Sequence, residues 1–122
     1  IAPFKYGYKN IKYIIIGPVP QWRGTLPSRI AYNSLDTADI YMKGIRPWLT
    51  PLDIKMQNKF RENEITYISL LSELCINKST CLAKVDEDNS AIVWDYGHLS
   101  LEGSSHIVSN IIFPKLRKYI IN

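Results

Sequence analysis

The sequence predicts an α/β fold with a parallel sheet, and three observations carry that prediction. Residues 11–16, Ile-Lys-Tyr-Ile-Ile-Ile, are β-branched and almost continuously apolar, the pattern of a strand buried on both faces. Residues 65–71, Ile-Thr-Tyr-Ile-Ser-Leu-Leu, form a second run of the same kind. Between them, Thr50-Pro51-Leu52-Asp53 has the composition of a helix start. A strand, a helix and a strand in that order read as a right-handed βαβ unit, which sets the two strands parallel.

The elements follow in order. Residues 1–10 are aromatic and basic, with a turn at Tyr6-Gly7-Tyr8, and read as a connection. The first strand stops at Gly17-Pro18-Val19-Pro20, because proline brings no N–H to a ladder. The loop that follows, at 21–27, lies where an α/β fold carries its functional loops, at the carboxyl end of the sheet. Within it, Trp22 and Arg23 suit stacking on and hydrogen bonding to a sugar, and they equally suit packing of the loop. Residues 28–46 predict a loop with one helical segment near 35–44, and Pro47-Trp48 marks a break. Thr50 is then the expected N-cap, Pro51 the first helical residue and Asp53 the acid of the first turn. Leu52, Met56 and Phe60 repeat at helical spacing as a core-facing stripe, with Lys55, Lys59 and Arg61 on the other side. Asn63-Glu64 ends this helix.

Past the second strand come Cys75 and Cys81, the two cysteines of the chain. As residues they allow buried thiols, a disulfide closing a short loop, or a zinc site shared with His98 and His106, for which the spacing is poor. Asp86-Glu87-Asp88-Asn89 reads as a solvated hairpin tip and lacks the rest of a calcium-loop pattern. Its arms would be 82–85 and 91–94. Ser100 is the expected N-cap of a last helix, with an apolar stripe at Ile107, Val108, Ile111, Ile112, Leu116 and Ile120. Gly103 is a poor helix former and suggests close approach to the sheet, while Pro114 should kink or restart the helix. His106 reads as a helix-surface residue.

Composition narrows the function classes. A chain of 122 residues is at most one domain and is long enough to bury a core. Its net charge of +4 is scattered, and the basic cluster Lys115-Leu116-Arg117-Lys118 complements a helix C-terminus. With no nucleic-acid module and no Arg/aromatic repeat, no nucleic-acid partner is expected. No stretch is long and apolar enough to span a bilayer. The first residue is Ile and no signal peptide follows it, so the chain reads as a piece of something larger.

The chemistry concentrates at Trp94-Asp95-Tyr96-Gly97-His98-Leu99-Ser100. The apolar run 91–94 ends in an acid, and His98 stands three residues later. On one tight turn the carboxylate can hold one imidazole nitrogen as N–H and stabilise the imidazolium, leaving the other nitrogen to take a proton. Such a pair is half of a hydrolase triad.

The block Asp95-Tyr96-Gly97-His98-Leu99-Ser100-Leu101-Glu102-Gly103-Ser104 resembles the last block of the SGNH (GDSL-type) hydrolases. It is most similar to the extracytoplasmic SGNH domain of acyltransferase-3 family polysaccharide O-acetyltransferases, which reads D-x-x-H-L-S-x-x-G. Asp95, His98, Leu99, Ser100 and Gly103 carry the match. Ile16-Gly17-Pro18-Val19-Pro20-Gln21-Trp22 also resembles the central strand of these domains, whose following loop borders the active site.

The resemblance implies a three-layer α/β/α, flavodoxin-like arrangement, of which residues 1–122 would supply the C-terminal strands and helices as a single, partial domain. It implies catalytic roles for Asp95 (orienting) and His98 (general base), substrate contacts from Trp22 and Arg23, and a disulfide between Cys75 and Cys81 with an oxidising compartment. It implies no cofactor and no metal. The activity it implies is O-acyl (acetyl) transfer to a cell-surface polysaccharide, or ester hydrolysis on one. A membrane domain of the same protein would supply the acyl donor, and the location would be the periplasmic or extracellular face of the membrane. The family's Gly-Asp-Ser and Gly-x-Asn-Asp blocks do not occur in these residues, and no serine here sits on an elbow suited to a nucleophile. A non-catalytic glycan-binding module with the same fold is the alternative expectation, followed by a flavodoxin-like domain in which the Asp–His motif is coincidental.

Overall fold

A computed structural model of the chain describes residues 11–32, 40–86 and 90–120. Its elements run β1 (Ile14–Ile16), α1 (Leu26–Tyr32), β2 (Tyr41–Lys43), α2 (Leu49–Glu62), β3 (Thr66–Ile68), α3 (Leu70–Leu74), β4 (Thr80–Leu82), α4 (Leu101–Ile107) and α5 (Phe113–Ile120). A π-helical turn, Val108–Ile112, joins the last two. The expected connection at 1–10 lies outside the described residues, as do 87–89 of the acidic turn.

The fold is mixed α/β. β1 and β3 pair in parallel with Ile14 opposite Thr66 and Ile16 opposite Ile68, as the βαβ reading requires. The backbone N–H of Gly17 extends this ladder to the carbonyl of Ile68 at 2.8 Å. A second, antiparallel pair sets Tyr41 opposite Leu82 and Lys43 opposite Thr80. The core lies between these sheets and the helices, with Trp22, Leu26, Leu49, Leu70, Ile92 and Ile107 among its fully buried side chains. Each buried aliphatic side chain of this kind contributes about 1.5–3 kcal/mol.

Several sequence expectations are corrected. β1 is not buried on both faces: Ile14 and Ile15 are half-buried and Ile16 is exposed, since β3 is its one strand neighbour among the described residues. The helix expected near 35–44 is absent at 41–43, which form β2. Residues 35–39 lie outside the described residues. A helix forms earlier, at α1, where Pro27 falls in the first turn and its missing N–H costs nothing, and Leu26 and Ile30 reach the core. α2 starts at Leu49, not after Thr50, and Trp48 provides no side-chain cap. A turn already formed by Leu49 N–H on the carbonyl of Arg46 (3.2 Å) runs directly into the helix. The inward stripe of α2 is Leu49, Asp53 and Phe60, whereas Leu52 is exposed. The second strand is cut short at Ile68, because Ser69 caps α3 by accepting the N–H of Ser72 at 3.0 Å. Segment 91–94 does not form a regular hairpin with 82–85: β4 takes β2 as its partner, and one bridge, Lys84 to Ala91, remains.

The last helix behaves as Pro114 dictates. Without an N–H, and with its ring against the preceding turn, proline opens the ladder, and the helix widens into the π turn before continuing as α5. Cys75 and Cys81 form a disulfide that ties the end of α3 to β4. Closing so short a loop restrains the unfolded chain by about 2 kcal/mol.

Candidate active site

The turn at 94–98 is built by one carboxylate. Oδ1 of Asp95 accepts the backbone N–H groups of Gly97 (2.9 Å) and His98 (2.7 Å). That leaves Oδ2 for the His98 ring, with Nδ1 at 2.5 Å. Trp94 N–H closes the turn on the carbonyl of His98 at 2.9 Å. The loop after β1 pins it from outside: Trp22 N–H bonds the carbonyl of Tyr96 (2.9 Å) and Leu26 N–H that of Asp95 (3.0 Å). Gly97 lies against the Gln21 side chain, which would have to turn aside for a Cβ that would stand 2.6 Å from its Cγ.

The geometry fixes the chemistry of the imidazole. With Asp95 ionised, Nδ1 carries the hydrogen and donates it, so Nε2 is the basic nitrogen. Nε2 has no hydrogen-bond partner among the described residues, and the His98 side chain is 60% exposed against 17% for Asp95. Loss of water pushes the Asp95 carboxyl up. The N–H groups of Gly97 and His98 and the His98 ring outweigh that and hold it below its ordinary value.

Aromatic rings flank the imidazole. Trp94 stacks on it at 5.5 Å between centroids and 22° between planes, and Tyr96 meets it edge-on at 5.4 Å. The Arg46 guanidinium lies 5.6 Å over the Tyr96 ring. Trp94 and Tyr96 are exposed; within the apolar run 91–94, Ile92 and Val93 alone point fully inward.

Ser100 behaves as a cap. Its Oγ accepts Gly103 N–H at 2.9 Å and donates to the carbonyl of Ala91 at 2.6 Å, so it is occupied by the helix start. Gly103 packs so closely on Ile92 that a Cβ would come within 1.9 Å of its carbonyl oxygen.

The two residues expected to contact substrate separate. Trp22 is fully buried, its Nε1–H directed at the carbonyl of Met42 (3.4 Å), so it offers no face to a sugar and packs the loop instead. Arg23 is exposed, and its backbone bonds Gly44 and the Arg29 side chain. Among the described residues no cluster of three or more His, Cys, Asp or Glu could hold a metal ion. His106 is half-buried on α4, against Asn110.

Asp53, expected as the acid of a first helical turn, instead lies inside α2 and is buried. Its Oδ1 accepts the Tyr67 hydroxyl (2.5 Å) and its Oδ2 that of Ser69 (2.6 Å), beneath Gly17 at the carboxyl end of the parallel pair. Burial first, then the adjacent carboxylate, pushes the Tyr67 phenol well above its ordinary value. The available signal was register, because Asp53 falls on the helical face of Leu49 and Phe60. Arg46 had no signal, being distant in sequence from the ring it covers.

This chain is similar to the periplasmic domain of a lipopolysaccharide acetyltransferase. The solved structure is that of Salmonella ser. Paratyphi A, 32% identical, matching 91% of this chain with a TM-score of 0.68. The chain spans 42% of the length of that one. No family model matches the sequence, and no curated protein does. The resemblance read at Asp95–Gly103, to an extracytoplasmic domain of polysaccharide O-acetyltransferases, is thereby borne out. No helix of the described residues is long and apolar enough to cross a membrane.

Proposed function

We propose that this chain carries the acid–base half of an O-acyltransferase site that acetylates a cell-surface polysaccharide. The observation that carries the proposal is the Asp95–His98 pair, with one nitrogen anchored at 2.5 Å and the other open on an exposed ring. The similarity to a lipopolysaccharide acetyltransferase domain supports the substrate class and a periplasmic location. In this reading the domain is a three-layer SGNH arrangement, 1–122 is its C-terminal part, and a serine outside this sequence is the nucleophile. A membrane domain of the same protein supplies the acyl group.

The mechanism follows from the geometry. His98 Nε2 takes the proton of the serine hydroxyl as the oxygen attacks the acyl carbonyl, and returns it to the leaving group. Nε2 then takes the proton of a sugar hydroxyl as that oxygen attacks the acyl-enzyme, and passes it to the serine oxygen as the serine–acyl bond breaks. Asp95 stabilises the imidazolium at each stage and keeps the ring in one orientation. Water in place of the sugar gives ester hydrolysis from the same intermediate.

The test is polysaccharide O-acetylation by the complete protein. His98→Ala should lower turnover by at least about a hundredfold without unfolding the domain, and Asp95→Asn should act in the same direction. Wild-type turnover in His98→Ala would refute the proposal. The exposed Trp94 and Tyr96 would also serve a non-catalytic glycan module. A serine-directed fluorophosphonate separates the two readings, since it labels the complete acyltransferase and leaves a binding module unmodified.

A further inference from the structure

We infer that Trp94, Tyr96 and Arg46 form the subsite for the acceptor sugar, a pyranoside resting on the indole; this rests on the acyltransfer reading above. Trp94 is 62% exposed, although it follows two fully buried residues and lies beside the core. Its backbone is held by the bond to the His98 carbonyl and its ring stacks on the imidazole, so ordering it on binding costs little. Large exposed apolar rings mark contact surfaces, and the C–H face of a pyranose is a suitable partner for one.

Position identifies the occupant. The indole stacks on the very imidazole whose Nε2 must receive the acceptor's proton. Because the two rings adjoin, a sugar seated where indole and imidazole meet can bring a hydroxyl to that nitrogen, whereas a ligand elsewhere on the surface could not.

Arg46 supplies the polar half. Its guanidinium sits over Tyr96, and a guanidinium is a fixed fork of N–H donors that sugar oxygens can accept. Arg46, Tyr96, His98 and Trp94 therefore form one continuous strip, with a cation at one end and an apolar platform at the other. Trp22, the tryptophan expected in this role, is excluded by its burial.

The test uses the complete protein with de-O-acetylated lipopolysaccharide oligosaccharide as acceptor. Trp94→Ala should raise the acceptor KM by about tenfold or more, with a smaller change in kcat, and Trp94→Tyr should recover most of the loss. Arg46→Ala should raise the acceptor KM as well. By saturation-transfer NMR, the inactive His98→Ala protein should still bind the oligosaccharide, and addition of Trp94→Ala should abolish that binding. An unchanged acceptor KM with a lower kcat in Trp94→Ala would overturn the inference, because the indole would then only position the imidazole. A rise in KM for the acyl donor alone would also overturn it, as would the lack of saturable oligosaccharide binding by the wild-type protein. Loss of binding on Trp94→Ala in a protein that never transfers an acyl group would uphold the subsite and remove the catalytic reading instead.

Discussion

Replacing Gly103 by Ala tests whether the site is held by packing against α4. Helix propensity alone favours the change, by about 1 kcal/mol. The structure opposes it. A Cβ on residue 103 would lie 1.9 Å from the Ile92 carbonyl oxygen, 2.8 Å from its carbonyl carbon and 3.0 Å from its Cα. All three are backbone atoms, so no side chain can swing aside. Relieving the oxygen contact to even 3.0 Å requires a movement of 1.1 Å (3.0 − 1.9) between α4 and segment 91–94. The same Ile92 oxygen accepts Ser100 N–H at 3.0 Å, and Ile92 itself is fully buried. Overpacking of this kind costs about 1–3 kcal/mol or more, and strain on the Ser100 bond adds about 1 kcal/mol. Against the propensity gain, the expected net loss is about 1–3 kcal/mol, a fall in melting temperature of several degrees. Thermal unfolding of wild-type and Gly103→Ala protein measures it directly. On the proposed function, acyl transfer by the complete protein at permissive temperature should fall as well, because Ile92 leads into Trp94 and Asp95. An unchanged or raised melting temperature would refute the reasoning, because α4 would then have room to move off the strand.

The Tyr67 hydroxyl, buried on Asp53, should stay protonated while exposed tyrosines ionise around pH 10. With its folded value raised, its contribution to stability is complete below that ordinary value and is lost as pH rises through the higher one. Ultraviolet titration should therefore show the Tyr67 phenol ionising at higher pH in wild-type protein than in Asp53→Ala, which removes the carboxylate's part of the shift and leaves that of burial, and identical titration of that phenol in the two proteins would contradict the contact. Asp95 has the opposite sign. Its folded value is depressed, so the stability it gives the turn is present above the ordinary carboxylate value of about 3.9 and is lost as pH falls through the lower one. The amide resonances of Gly97 and His98 should titrate together with a midpoint below that value, and a midpoint at or above it would contradict the turn geometry.

What the sequence determined by itself is mostly local. The Asp95–His98 pair, the Ser100 cap and the end of α2 at Asn63 join groups a few residues apart, whose geometry backbone sterics nearly dictate. The parallel pairing of β1 and β3 was also legible, because β-branched runs with a helix between them have few other arrangements. The close approach of Gly103 was legible too, since glycine inside a helix otherwise only costs stability. Only the tertiary structure decided which side chains face inward. Trp22 and Trp94 are the same residue type beside similar apolar runs. One lies in the core because α1, β2 and the 94–98 turn close over it, and the other lies open beside the imidazole. Asp53 took a core position because Tyr67 and Ser69, brought there by β3, satisfy both of its oxygens. β2 formed where a helix was expected because β4 offers it a ladder. In each of these cases the deciding free energy is burial or hydrogen bonding to a partner far away in the chain, and no local window of sequence contains that partner.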